Sequence, residues 1–176
     1  MSTLNELYKK ADEKTNEAWA NIDSDGTYNG RLAATILSEQ NGNYVAEGET
    51  PKQLISYVFD LLNEKGESVH VHTKPCTISF TDKSKLPQIW KVKSGEELSA
   101  LLCDADGKAK DIYVKCLVEV KETDKGLFPT VTKVSKIMEK TDQPATKLSD
   151  WDLKVYGKEA LSYEMTPDYE KLYESK

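Results

Sequence analysis

The sequence predicts a mainly β domain: a five-stranded Greek-key barrel with a helix between its third and fourth strands. Three observations carry this expectation. Segments near 27–37, 54–62, 67–80, 111–121 and 127–138 read as strands, with clear period-two alternation of apolar and polar residues in 27–37 and 111–121. One stretch, 83–103, changes to helical spacing. Clusters rich in Gly, Asp and Asn punctuate the boundaries.

Residues 3–22 place Leu4, Leu7, Ala11, Ala18, Trp19 and Ile22 at helical spacing, which predicts an N-terminal helix over 1–22 that Asp23 to Gly26 ends. In the first strand Tyr28, Leu32, Ala34 and Ile36 fall on one face and Asn29, Arg31 and Thr35 on the other. Gly30 inside that run predicts a bulge or a sharp bend. Residues 38–53 read as a long loop. Strand 54–62 and strand 67–74 form a hairpin across Asn63 to Gly66, and the second of them resumes at 77–80 after Pro75.

Leu86, Ile89, Trp90, Leu98, Leu101 and Leu102 then mark a helix in two pieces, the second starting near Ser94. Strand 111–121 sets Ile112, Val114, Cys116, Val118 and Val120 against Tyr113, Lys115, Leu117 and Glu119, and a turn at Glu122 to Gly126 leads into strand 127–138. A domain over 23–140 is therefore expected, followed by an extended acidic tail, 141–176, that lacks a periodic apolar face and should be dispensable for folding. The order of strands and helix is that of the oligonucleotide-binding (OB) fold, whose strand 2–3 face and 1–2 and 4–5 loops commonly receive oligonucleotides or oligosaccharides.

Composition narrows the function. No apolar run approaches the ~18 residues of a membrane span, and the N-terminus lacks the pattern of a secretory signal, so a soluble cytoplasmic protein with no membrane partner is expected. Cys76, Cys103 and Cys116 are odd in number and widely spaced, and they read as buried thiols. The net charge of −6 hides a gradient: residues 108–140 hold eight Lys against five acids, whereas 1–25 hold three against six and 141–176 five against eight. One internal hairpin is basic between acidic ends.

Phosphoryl, acyl-transfer and metal chemistry find no footing. There is no Walker loop, no Gly-x-Ser-x-Gly elbow, and no histidine besides His70 and His72. His70, His72 and Cys76 lack the further ligands of a metal site, and Asp104 and Asp106 read as a turn that ends at Gly107. A non-enzymatic protein without cofactor or metal is expected.

The run from Trp19 to Arg31 (WANIDSDGTYNGR) passes from a helix end through an acidic Gly turn into a first strand. With Tyr57 and Phe59, Ile89 and Trp90, Tyr113 to Lys121, and Phe128 to Val131 coming after it in matching order, it resembles phage-encoded OB-fold single-stranded DNA-binding proteins over about residues 15–138. The resemblance implies coating of single strands in phage DNA replication or recombination, in the host cytoplasm, with replication or recombination proteins as further partners. The chain departs from many such binders by ending Tyr173, Glu174, Ser175, Lys176 rather than on an acidic tip.

Single-strand binding needs cations along phosphates and aromatic faces for bases. Tyr57 and Phe59 share a face of strand 2 and either stack bases or fill the barrel. His70, His72 and Lys74 share a face of strand 3 directed at solvent or ligand, and Tyr113 and Lys115 do the same on strand 4. Lys121, Lys125 and Phe128 gather near the last hairpin, and Arg31, the single arginine, suits a phosphate or carboxylate. Trp19 and Trp90 read as core or helix-docking residues. Sequence-tolerant binding of single-stranded DNA is the leading expectation. A protein-interaction module, such as a phage accessory or host-inhibitor protein on the same barrel, is the alternative.

Overall fold

The computed structural model describes residues 3–8, 20–40, 46–155, 158–159 and 162–174. Its strands are β1 (Gly26–Glu39), β2 (Gln53–Leu62), β3 (Ser68–Thr73), β4 (Cys76–Thr77), β5 (Tyr113–Thr123), β6 (Gly126–Met138), β7 (Lys154–Val155), β8 (Lys158–Glu159) and β9 (Ser162–Met165). Helices α1 (Lys85–Trp90) and α2 (Gly95–Leu102) follow β4, and α3 (Pro167–Glu170) follows β9.

Five strands close a barrel of the OB arrangement. β1 pairs antiparallel with β2 and with β5, β2 with β3, and β5 with β6. A short parallel contact, His72 beside Thr130 and Thr73 beside Val131, completes the circuit. The two helices lie between the third and fourth barrel strands, as the sequence predicts.

β1 serves several neighbours because it is long and bent. Its first half pairs with β5, residues 30–39 pair with β2, and Ala34 to Leu37 also receive β9 on the other edge. Gly30 marks the point where β1 crosses β2 most closely. A Cβ there would overlap the Asp60 carbonyl oxygen and stand 2.7 Å from the Leu61 Cα, so no larger residue fits without moving backbone. The bulge itself falls between Leu32 and Ala34. It reverses the facing of the residues beyond it: Leu32 packs inside the barrel, whereas Ala34 and Ile36 join a second cluster outside it. The simple alternation that put Leu32, Ala34 and Ile36 on one face is corrected by that extra residue.

β2 keeps strict alternation. Tyr57, Phe59 and Leu61 point into the main core, while Val58 belongs to the outer cluster and Ser56 and Asp60 are buried polar residues between the core positions. The helices close one end of the barrel with Leu86, Ile89, Trp90, Leu98 and Leu102. Trp90 contacts the rings of Tyr57 and Phe59 at centroid distances of 5.1 and 5.7 Å. α1 stops where Lys91 turns left-handed (φ 57°), and α2 starts at a cap in which Ser94 Oγ accepts from the Glu97 N–H. After Pro75 a strand resumes over Cys76–Thr77 alone, as β4, along β2 at Leu54 and Ile55, and residues 78–80, expected to continue it, are not strand.

Residues 4–8 are helical and residues 20–22 are not; most of the N-terminal helix expected over 1–22 lies outside the described residues. Ile22 is fully buried in the main core, and Asn21 Nδ2 donates to the Leu127 carbonyl at 3.1 Å. Cys76 and Cys116 are buried free thiols, and Cys103 is half-buried and free.

The segment after Lys140 corrects an expectation. It is not an extended tail but packs on the barrel: Leu148 and Tyr169 are buried against Ala33, Ala34, Ile36 and Val58, and β9 adds a strand to β1. Its anchors are single residues spaced far apart, so no periodic face announced them.

Candidate nucleic-acid interface

The outer face of β2 and β3 is where an OB barrel commonly takes a ligand. Here the C-terminal segment covers it. Asp60, wholly buried, accepts from Tyr169 Oη at 2.6 Å, from Thr146 Oγ1 at 2.7 Å and from Ser68 Oγ. The His70 ring bonds Asp152 Oδ2 through Nδ1 at 2.8 Å and Thr146 Oγ1 through Nε2 at 2.7 Å. His72 Nε2 lies 3.3 Å from Asp152 Oδ1. Burial opposes a charge on His70, but the bond to Asp152 and the Asp60 carboxylate 3.8 Å away overcome it and push its pKa up to about 9. Burial likewise works against the Asp152 carboxylate, yet His70, His72 and the Ser149 N–H hold it well below the usual carboxylate range.

This arrangement revises several sequence-predicted site residues. His70 and His72 do face outward, but toward the C-terminal segment rather than toward solvent. Arg31 is 2% exposed and clamped by carboxylates: Nη2 lies 2.7 Å from Asp168 and 3.1 Å from Asp111, while Nη1 donates to the Gln143 carbonyl at 2.8 Å. Its guanidinium also sits over the rings of Tyr113 and Tyr169, at 4.8 and 5.1 Å. Of the two partners its position allows, carboxylate is the one realised. Tyr113 is buried beneath that cation, and Tyr57 and Phe59 fill the barrel, so none of the three offers a free ring to a base.

Of the other candidates, Lys74, Lys115 and Lys121 line two clefts, and Lys125 and Phe128 are exposed on the last hairpin. One cleft of about 540 Å³ lies between the start of β1 and the β2–β3 turn, where Lys115 stands with Asp25 and Glu64. Its charged lining is acidic by one. The second, about 510 Å³, lies between α1, the end of β3 and the β5–β6 hairpin. Lys74, Lys85 and Lys121 line it against a single Glu119, with Gln88 and Thr130 among the neutral lining. Phe128 faces Lys121 across the hairpin ladder, so it extends from the same side of the sheet, and it is 43% exposed. Lys125 is exposed at the hairpin tip, where the chain reverses at Gly126 (φ 127°).

Lys74 and Lys121 thus share one groove, Phe128 is paired beside Lys121, Lys125 stands farther out at the hairpin tip, and Lys115 lines the other cleft. Lys85 and Gln88 were missed by sequence reasoning. They occupy polar positions of a helix read mainly for its apolar face, and the cue was their spacing beside Leu86 and Ile89. No family model, curated protein or solved structure matches this chain. Geometry and charge therefore carry the functional argument. No helix among the described residues is long and apolar enough to cross a membrane.

Proposed function

We propose that the barrel binds single-stranded nucleic acid, most simply single-stranded DNA without sequence preference, in the groove between α1 and the β5–β6 hairpin. The observation that carries this reading is a local excess of three lysines over one carboxylate in a groove of about 510 Å³, on a chain whose net charge is −6. Such an excess suits a polyanion, and flexible ammonium groups track phosphates without reading bases. The exposed Phe128 ring beside Lys121 adds the face on which a base stacks. Catalysis is no part of the proposal. A role in phage replication or recombination rests on the sequence resemblance alone.

Anisotropy titration of a labelled oligo(dT), in parallel with a hairpin duplex of the same length, tests it. The proposal expects binding of the single strand at low salt and much weaker binding of the duplex, because paired bases hide their faces. Equal affinity for the duplex, or no oligo(dT) binding at low salt, would contradict it and favour a protein ligand for this surface.

A further inference from the structure

Trp151 is 57% exposed, an unusual setting for so large an apolar ring on a segment whose neighbours are pinned. Asp152, the next residue, is buried and held by His70 and His72. Ser149 Oγ accepts from the Asp152 N–H at 3.1 Å while the Ser149 N–H donates to Asp152 Oδ2 at 2.9 Å. The Lys154 N–H donates to the Trp151 carbonyl at 3.1 Å, closing the turn. The indole and the His72 imidazole form a T-shaped pair, with centroids 5.0 Å apart and planes at 71°. The Trp151 backbone is fixed on both sides and the ring touches His72, yet more than half of the residue is left to solvent.

The place it occupies gives the ring a use. His72 lies beside Thr130 in the parallel ladder, and Thr130 lines the cationic groove; Lys74, two residues beyond His72, lines it too. Building on the single-strand reading above, we propose that Trp151 is a nucleobase-stacking platform at the rim of that groove. Its ligand is an unpaired base of the strand whose phosphates lie along Lys74, Lys85 and Lys121. The C-terminal segment thereby supplies one wall of the binding site, and the Asp152 ion pair is the positioning element for the indole.

Stacking needs bases and phosphate contact does not, so the test pairs two probes: oligo(dT) and an abasic oligonucleotide of equal length. Trp151→Ala should weaken oligo(dT) binding about 5- to 100-fold with the salt slope unchanged, and leave abasic binding at the wild-type level. Trp151→Phe should recover most of the loss, and Asp152→Asn should give an intermediate one. Equal oligo(dT) affinity of wild type and Trp151→Ala, or an equal loss on both probes, would overturn the platform while leaving the groove standing. Failure of the wild-type protein to bind either probe would overturn the groove and the platform together.

Discussion

The Tyr169 hydroxyl donates to the buried Asp60 carboxylate over 2.6 Å, tying the C-terminal segment to the second strand of the barrel across 109 residues of chain. This bond joins the apolar contact of Tyr169 and Leu148 with Ala33, Ala34, Ile36 and Val58. Tyr169→Phe should cost about 1–2 kcal/mol in urea unfolding, because Asp60 keeps Thr146 and Ser68 but loses a buried donor. Truncation after Lys140 goes further: it should expose that apolar face, lower Tm and raise binding of a hydrophobic dye. A truncated chain as stable as the full one would show that the segment only rests on the barrel.

Arg31 makes the second tie. Arg31→Met removes the partner of Asp111 and Asp168 and the donor to Gln143, and should cost about 3 kcal/mol. Arg31→Lys should recover only part of that, since a single ammonium does not reproduce a planar fork over two rings. Urea midpoints of the two variants decide the matter, and a lysine variant as stable as wild type would mean that charge alone suffices.

The third tie is sensitive to pH. The folded pKa of His70 is raised to about 9, above the unfolded value of about 6.5. Its contribution is therefore complete below about pH 6.5 and lost as pH rises through about 9. Asp152 is shifted the opposite way, so its contribution is present above about pH 4 and lost in acid. Stability should fall by about 3 kcal/mol between pH 6 and pH 10, and His70→Asn should remove most of that slope. A flat wild-type profile over the same range would contradict the ion pair.

The barrel was legible in the sequence because strands such as Val114, Cys116, Val118 with Tyr113, Lys115, Leu117 alternate cleanly, and because Gly30 sits where two strands nearly touch. The covering segment was not. Strands β1 and β2 are buried on both faces, and a strand buried on both faces loses the polar alternation that would declare an outer surface. The small residues Ala33 and Ala34 and the lone Asp60 were the available signals. For the site, sequence spacing could show that His70, His72 and Arg31 share polar faces, but not that Asp152, Asp111 and Asp168, up to 137 residues distant, fold back to occupy them. Surface lysines were easier, since Lys121 and Lys125 lie at exposed positions of a hairpin already visible in the sequence.

If Lys85 and Lys121 contact phosphates in the groove, the salt dependence of oligo(dT) affinity reads those contacts. Each phosphate neutralised on a single strand contributes about −0.7 to the slope of log affinity against log salt. Lys85→Ala with Lys121→Ala should flatten the wild-type slope by about 1.4, while Lys115→Ala, in the other cleft, should leave it unchanged. A slope that the double variant leaves intact, or that Lys115→Ala flattens as much, would place the nucleic acid elsewhere.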